Sequence, residues 1–337
     1  MSREIFDEVV WALSGKLRAG LANVPGSVKP MVQEIRLRAN KPVTLVCRER
    51  VYFVSMTGKI LDCREDGLLI ASQGDIDETF RNICNYSVYS HQEEIKNGFI
   101  TMRGGHRVGI CGTAVRNNRE ITGVKHVSSL NIRIARQLLG ISRGIIKQLH
   151  GGTLGTLFAG PPCCGKTTLL RDIARVLSSG DLGYSRKVAV VDERSEIAAM
   201  YEGVSQNDVG LCDVLDGYPK GEGIMQAIRT LSPQVIVCDE VGGLSDTQAI
   251  EESLNAGVVL IASIHAGTLG ELIRRKQLIR LLRSGAFEQV IMLSDSAHPG
   301  NVENIYKTGE LLDKIDGAAA ASANRQRDGN IGVARTE

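Results

Sequence analysis

The segment Gly160-Pro161-Pro162-Cys163-Cys164-Gly165-Lys166-Thr167 has the spacing G-x-x-x-x-G-K-[ST], and its flanks decide what it folds into. Before it, Thr153-Leu154-Gly155-Thr156-Leu157-Phe158-Ala159 reads as a short apolar strand. After it, Thr168-Leu169-Leu170-Arg171-Asp172-Ile173-Ala174-Arg175-Val176-Leu177 carries apolar residues at helical spacing. A strand that turns tightly into a helix through glycines points consecutive backbone amides at the helix's positive end, which makes a cradle for phosphate. The expected nucleotide-binding residues therefore run from Gly160 to Thr168. Within them Lys166 is placed on the β- and γ-phosphates and the Thr167 hydroxyl on a Mg²⁺ ion. Alone, the same letters also suit a Gly/Pro loop that happens to precede a lysine.

A second run removes most of that ambiguity. Val235-Ile236-Val237-Cys238-Asp239-Glu240 is apolar until it ends in two carboxylates, as a buried parallel strand is when it delivers acidic groups to the carboxyl edge of its sheet. Asp239 suits the Mg²⁺ shell, and Glu240 suits polarising an attacking water. Together the motifs predict binding and hydrolysis of a nucleoside triphosphate. The loop reads phosphates and not the base, so ATP and GTP fit it equally.

Composition narrows the class without naming a partner. With 337 residues, 43% of them hydrophobic, the chain can build two cores without disulfides or metals. Its 40 basic and 38 acidic residues leave a formal charge of +2, so no global field asks for nucleic acid or an anionic membrane. The start, Met1-Ser2-Arg3-Glu4-Ile5-Phe6-Asp7-Glu8, lacks the apolar core of a signal peptide. No apolar stretch approaches the roughly 20 residues that span a bilayer, and a cytoplasmic chain, at most peripheral to a membrane, is expected. The 8 cysteines show no C-x-x-C spacing, so no zinc site is expected. Cys163 and Cys164 lie at a helix start, where amides lower a thiol's pKa; they read either as small loop residues or as redox-sensitive thiols.

The pattern predicts an α/β protein in two parts. Residues 1–140 form an α+β domain, with a helix near Ile5 to Leu17, strands over 33–38, 43–47 and 51–54, a helix from about Asp75, another over 90–96, and a hairpin over 99–102 and 107–115. Residues 141–315 alternate strand and helix: strands 153–159, 187–192, 235–239, 258–264 and 289–293, with helices 166–178, 221–231, 245–256 and 268–284 between them. That alternation implies a mainly parallel sheet covered on both faces. Residues 316–337, with Ala318-Ala319-Ala320-Ala321 and few large apolar groups, read as a disordered tail.

Further segments carry a resemblance: Ser90-His91-Gln92-Glu93-Glu94-Ile95-Lys96-Asn97-Gly98-Phe99-Ile100, Gly104-Gly105-His106-Arg107-Val108-Gly109-Ile110-Cys111-Gly112-Thr113-Ala114 and Asn131-Ile132-Arg133-Ile134-Ala135, with the phosphate loop. Over most of its length the chain resembles the sporulation stage III AA family, within the superfamily of the hexameric ATPases of type II and type IV secretion and of pilus retraction. The resemblance implies a RecA-like P-loop ATPase domain after the α+β domain, ATP as the nucleotide and a homo-oligomer, hexameric in the motors. It also implies membrane-embedded sporulation channel proteins as partners, on the mother-cell side of a channel to the forespore.

The resemblance implies roles for single residues too. Val188-Ala189-Val190-Val191-Asp192-Glu193-Arg194-Ser195-Glu196 resembles the acidic box of secretion ATPases, which puts Asp192, Glu193 or Glu196 near the Mg²⁺ and its waters; as plain structure it is a solvated strand end. His265, after Val258-Val259-Leu260-Ile261-Ala262-Ser263-Ile264, resembles their histidine box and implies sensing of the γ-phosphate. Arg107 and Arg133 match the arginines that reach a neighbouring subunit's nucleotide, and as plain structure they are strand-face charges. Asp239-Glu240 stands where many secretion ATPases have Gly-Glu. Two other readings stay open: a nucleotide-dependent nucleic-acid remodeller, and a scaffold that binds the nucleotide with little turnover.

Overall fold

The computed structural model describes residues 2–48, 50–117, 120–150, 152–295 and 297–317. The chain divides into two compact units, residues 1–136 with 199–207 and residues 137–198 with 208–337. A single cut near residue 140 therefore does not account for residues 199–207. Of the expected tail, residues 316 and 317 end a helix over 308–317, and 318–337 lie outside the described residues.

In the first unit seven strands form one sheet in the order Ile60–Leu61, Arg50–Val54, Thr44–Cys47, Val32–Arg38, Glu120–Arg133, His106–Asn117 and Phe99–Met102, and every neighbouring pair is antiparallel. Its inward residues, including Ile35, Leu37, Leu45, Ile100, Val108, Leu130 and Ile132, form a core with Phe6, Val9, Leu13, Leu17 and Ile76 from the helices. The one helix expected near the start is two, Ser2–Trp11 and Gly15–Ala22. Ser14 breaks it: its hydroxyl accepts from the Leu17 amide at 3.4 Å and donates to Asp75 at 2.7 Å, a local bond that competes with helix continuation. Helix Gln73–Ile83 starts in a capping box, in which Ser72 and Asp75 each bond the other's amide.

In the second unit the strand order is Asp213–Asp216, Val188–Asp192, Val235–Cys238, Val259–His265, Thr156–Gly160, Gln289–Leu293 and Val302–Lys307. All pairs are parallel except the last, which is antiparallel. Both faces are covered. Leu157, Ala159, Ile236, Cys238, Leu260 and Ala262 share one core with Ile224, Ala227, Ile250 and Leu281 of the helices. The alternate residues Phe158, Val190, Val237 and Ile261 are buried as well, which is why these strands read as unbroken apolar runs. This is the mainly parallel α/β architecture that the sequence predicts. The strands over 213–216 and 302–307 are additions to it, and the short antiparallel pair Met200–Tyr201 with Val204–Ser205 belongs to the first unit.

Candidate functional site

The site grows from the way a parallel sheet aligns its strand ends. Gly160, His265, Cys238 and Val191 lie at or near the carboxyl ends of four adjacent strands, and Gly160 is paired in register with His265. The residues just beyond these strand ends therefore meet at one edge, although they are separated by up to about a hundred positions in sequence.

The loop after Gly160 is shaped by small residues. Gly165 has φ +89° and stands at the N-cap of helix Lys166–Ser179, a conformation that L side chains rarely adopt. A β-carbon there would lie 2.9 Å from the Gly300 nitrogen, and one on Gly160 would lie 2.6 Å from Cys164 Sγ. The Gly300 amide in turn donates to the Cys164 carbonyl at 2.8 Å, so the turn near 300 braces the loop. Cys164 is fully buried and Cys163 is exposed.

Lys166 is buried, and its ammonium donates to the carbonyls of Gly160 at 3.0 Å and Pro161 at 2.8 Å. Nζ also lies 3.3 Å from His265 Nδ1, while His265 Nε2 lies 2.6 Å from Glu240 Oε1. These contacts assign the imidazole tautomer. An ammonium has donors only, so Nδ1 accepts, and the ring proton sits on Nε2 and is donated to Glu240. The other oxygen of Glu240, Oε2, accepts from Arg194 Nη1 at 2.7 Å. The result is a continuous hydrogen-bonded chain from Lys166 through His265 and Glu240 to Arg194.

Asp239 is buried at the end of its strand. One oxygen accepts from the Thr167 hydroxyl at 2.5 Å; the other accepts from the Ser263 hydroxyl and, at 2.9 Å, from the Glu240 amide. Glu240 itself has φ +48°, a strained backbone for a side-chain-bearing residue, of a kind that clusters at functional sites.

The structure brings Lys166, Thr167, Thr168, Glu196, Glu240 and His265 together around one cavity of about 330 Å³, whose wall also includes Pro162, Cys163 and Gly165. Glu193 does not line that cavity. It sits in an adjoining crevice with Asp192, Arg194, Glu196, Asp239 and Glu240, where its carboxylate is paired with the buried Lys220. Asp192 holds the backbone rather than facing the cavity, accepting from the amides of Glu196, Ile197 and Ala198 at 2.8–2.9 Å. Burial pushes its carboxyl up to about 6, and those amides oppose the shift. Arg171, on the helix after the loop, donates to the carbonyls of Glu196 at 2.6 Å and Ile197 at 2.7 Å. Arg107 and Arg133 belong to the first unit, where they are direct cross-strand partners. The Arg107 guanidinium stacks 3.7 Å from the Phe99 ring, and Arg133 Nε lies 3.9 Å from Glu34.

Sequence reasoning missed Arg194, Lys220 and Arg171 as parts of this site. Arg194 stands between two residues that the acidic box singled out, which was a usable signal; Lys220 and Arg171 lie in helical segments with nothing local to mark them.

The oxygens at Thr167 and Asp239 fit a hard divalent cation that takes its remaining ligands from phosphates and water, as Mg²⁺ does in nucleotide sites. Among the described residues no cluster of three or more His, Cys, Asp or Glu side chains forms a self-sufficient metal cage. No helix among them is long and apolar enough to cross a membrane.

The fold is shared with solved ATPases. The Yersinia pseudotuberculosis ATPase DotB superposes with a TM-score of 0.55 at 14% identity, over 88% of this chain and 82% of its own. The pilus retraction motor PilT, solved with bound ADP, gives 0.54 at 12% identity, over 77% of this chain and 74% of its own. In sequence the chain is 40% identical over 315 residues to Stage III sporulation protein AA of Bacillus subtilis (strain 168), spanning 92% of this chain and 98% of that protein. The family described as "Sporulation stage III, protein AA" matches residues 4–312, and the chain belongs to that family.

Proposed function

We propose that this chain is a Mg²⁺-dependent ATP hydrolase that forms a ring and energises the assembly of, or transport through, a membrane channel complex during sporulation. The observation that carries the catalytic part is the cavity in which Lys166, Thr167 and Thr168 face Glu196, Glu240 and His265. Lys166 exchanges its two loop carbonyls for the β- and γ-phosphates, and the loop amides cradle the rest. Mg²⁺ held at Thr167 and Asp239 would supply charge neutralisation on the phosphate oxygens. Glu240 polarises the attacking water, and Glu196 lies on the same wall. Lys166 contacts His265 directly, so any movement of the ammonium toward phosphate is felt by the imidazole and, through Nε2, by Glu240. That linkage suits His265 to sensing the γ-phosphate.

Arg107 and Arg133 are proposed as arginines that serve a neighbouring subunit's nucleotide. Residues directly opposite on antiparallel strands project from the same face, so the two guanidiniums lie on one face of that sheet, with Glu34 beside Arg133. The ring, hexameric in the motors of the superfamily, the membrane-embedded sporulation channel proteins as partners and a peripheral place on the mother-cell cytoplasmic side are supported by family membership. The formal charge of +2 offers nucleic acid no large basic field.

One observation favours the reading of a nucleotide-gated scaffold with little turnover: both oxygens of Glu240 already accept hydrogen bonds, from His265 and Arg194. Turnover separates the two. The hydrolase reading expects Mg²⁺-dependent phosphate release from ATP, and particle mass that rises to a closed ring with Mg²⁺-ATP. Tight binding without release leaves the scaffold.

A further inference from the structure

Phosphoryl transfer needs positive charge where the terminal phosphate sits, and among the described residues the sheet-edge site holds four cationic side chains near its carboxylates: Lys166, Arg171, Arg194 and Lys220. Three are already engaged. Lys166 belongs to the phosphate loop itself. Arg171 is half-buried and tied to the backbone carbonyls of Glu196 and Ile197 through two of its nitrogens. Lys220 is buried against Glu193, and removing it would leave that carboxylate uncompensated.

Arg194 differs in each respect. Its side chain is 59% exposed, and of the five N–H donors a guanidinium carries, one is in use among the described residues, on Glu240. It sits in a tight turn after a buried strand, where Asp192 fixes the following backbone through three amides, so the base of the side chain is anchored while its tip is exposed beside Glu240. Its present partner is the carboxylate proposed to polarise water, on the wall of the cavity that faces the phosphate loop. A terminal phosphate carries more charge than a carboxylate, and two of its oxygens accept the planar fork in two parallel bonds as a carboxylate's pair does.

We propose that Arg194 is a phosphate-binding residue of the same subunit's nucleotide site, which leaves Glu240 for the terminal phosphate of a bound nucleoside triphosphate and thereby frees the Glu240 carboxylate to take an attacking water. The proposal rests on the nucleotide reading above and adds an arginine in cis to it. It also explains how a doubly bonded Glu240 belongs to an enzyme: the ion pair is the resting partner of both groups, and the triphosphate replaces it.

The test is equilibrium binding of Mg²⁺-ATP and Mg²⁺-ADP to the whole chain, for the wild type, Arg194→Ala and Arg194→Lys, each also in a Glu240→Gln background. A contact to the terminal phosphate predicts that Arg194→Ala weakens ATP relative to ADP by roughly tenfold or more, in both backgrounds alike, with Arg194→Lys between. A residue that only holds Glu240 in place would leave the ATP-to-ADP ratio unchanged, and that result overturns the proposal while the hydrolase reading stands. Wild-type protein that binds neither nucleotide overturns the reading beneath it and this proposal with it.

Discussion

Each unit is built on a seven-stranded sheet, yet only one of them gathers polar chemistry at a single edge. In the first unit every neighbouring pair is antiparallel, so strand ends alternate in direction and the polar groups after them scatter to opposite edges. In the second, five adjacent pairs are parallel, and the loop after Gly160, Asp192, the Asp239-Glu240 pair and His265 all emerge on one side. Residue types do not explain the contrast, since both units carry arginines and carboxylates on strands. Strand direction does. It converts four separate strand endings into one site, with apolar runs behind them that keep the backbone fixed.

The largest test of that contrast is Lys166→Ala. It removes the fixed charge beside the phosphates and should weaken nucleotide binding on the order of a hundredfold or more while leaving the first unit folded. Wild-type affinity measured by equilibrium binding would place the nucleotide elsewhere. Next is Glu240→Gln, which keeps the shape and the His265 contact but not the carboxylate; Mg²⁺-ATP affinity should change little while turnover falls roughly a hundredfold or more.

The two units should also respond to pH in opposite directions. His106, buried in the first unit, has its imidazole pushed down to about 4 by burial, with Arg136 acting the same way. From about pH 6.5 down to 4 the unfolded chain holds a proton that folded His106 refuses, so this unit loses stability as pH falls through that window. Asp192 in the second unit is raised from 3.8 to about 6, so between those values the folded state holds the extra proton and stability falls as pH rises. Each slope approaches roughly 1.4 kcal/mol per pH unit. The single tryptophan, Trp11, lies in the first unit and reports its denaturation midpoint; hydrogen exchange corrected for intrinsic rate tracks strands in the second. Slopes of the same sign in both units would remove this account of His106 and Asp192.

The smallest expected effect asks whether the first unit joins the chemistry. Arg107→Ala or Arg133→Ala should each lower turnover roughly tenfold with little change in nucleotide affinity, the mark of a contact made mainly in the transition state. Mixing Arg107→Ala subunits with Lys166→Ala subunits should then give more activity than the two contribute separately. Full activity of both arginine variants would leave the catalytic work to the second unit.

Much of the second unit was legible in the chain because its signals are local: an eight-residue loop pattern, apolar runs of strand length and helices with a 3.6-residue period. The expected helix 166–178 is Lys166–Ser179, and the expected strand 289–293 is Gln289–Leu293. The sheet's two edge strands escaped notice for a physical reason. Asp213-Val214-Leu215-Asp216 has two apolar residues between acids, and Val302–Lys307 is largely exposed, as edge strands that resist further pairing are. The site was legible as a set of residues but not as a network. Arg194 and Glu240 are 46 positions apart, and Lys220 and Glu193 are 27 apart; nothing in either neighbourhood encodes the pairing. Likewise, no composition shift marks residues 199–207, which join the first unit through contacts distant in sequence, such as the Gly104 amide on Gln206.

The claim that this sheet edge is a working ATPase is tested most directly by phosphate release from ATP by the whole chain, with Mg²⁺ and with Mg²⁺ removed by a chelator. The account predicts steady release that requires Mg²⁺ and is lost in both Lys166→Ala and Glu240→Gln. Release that continues at the wild-type rate in either variant, or a wild-type chain that binds Mg²⁺-ATP and releases nothing, would contradict it.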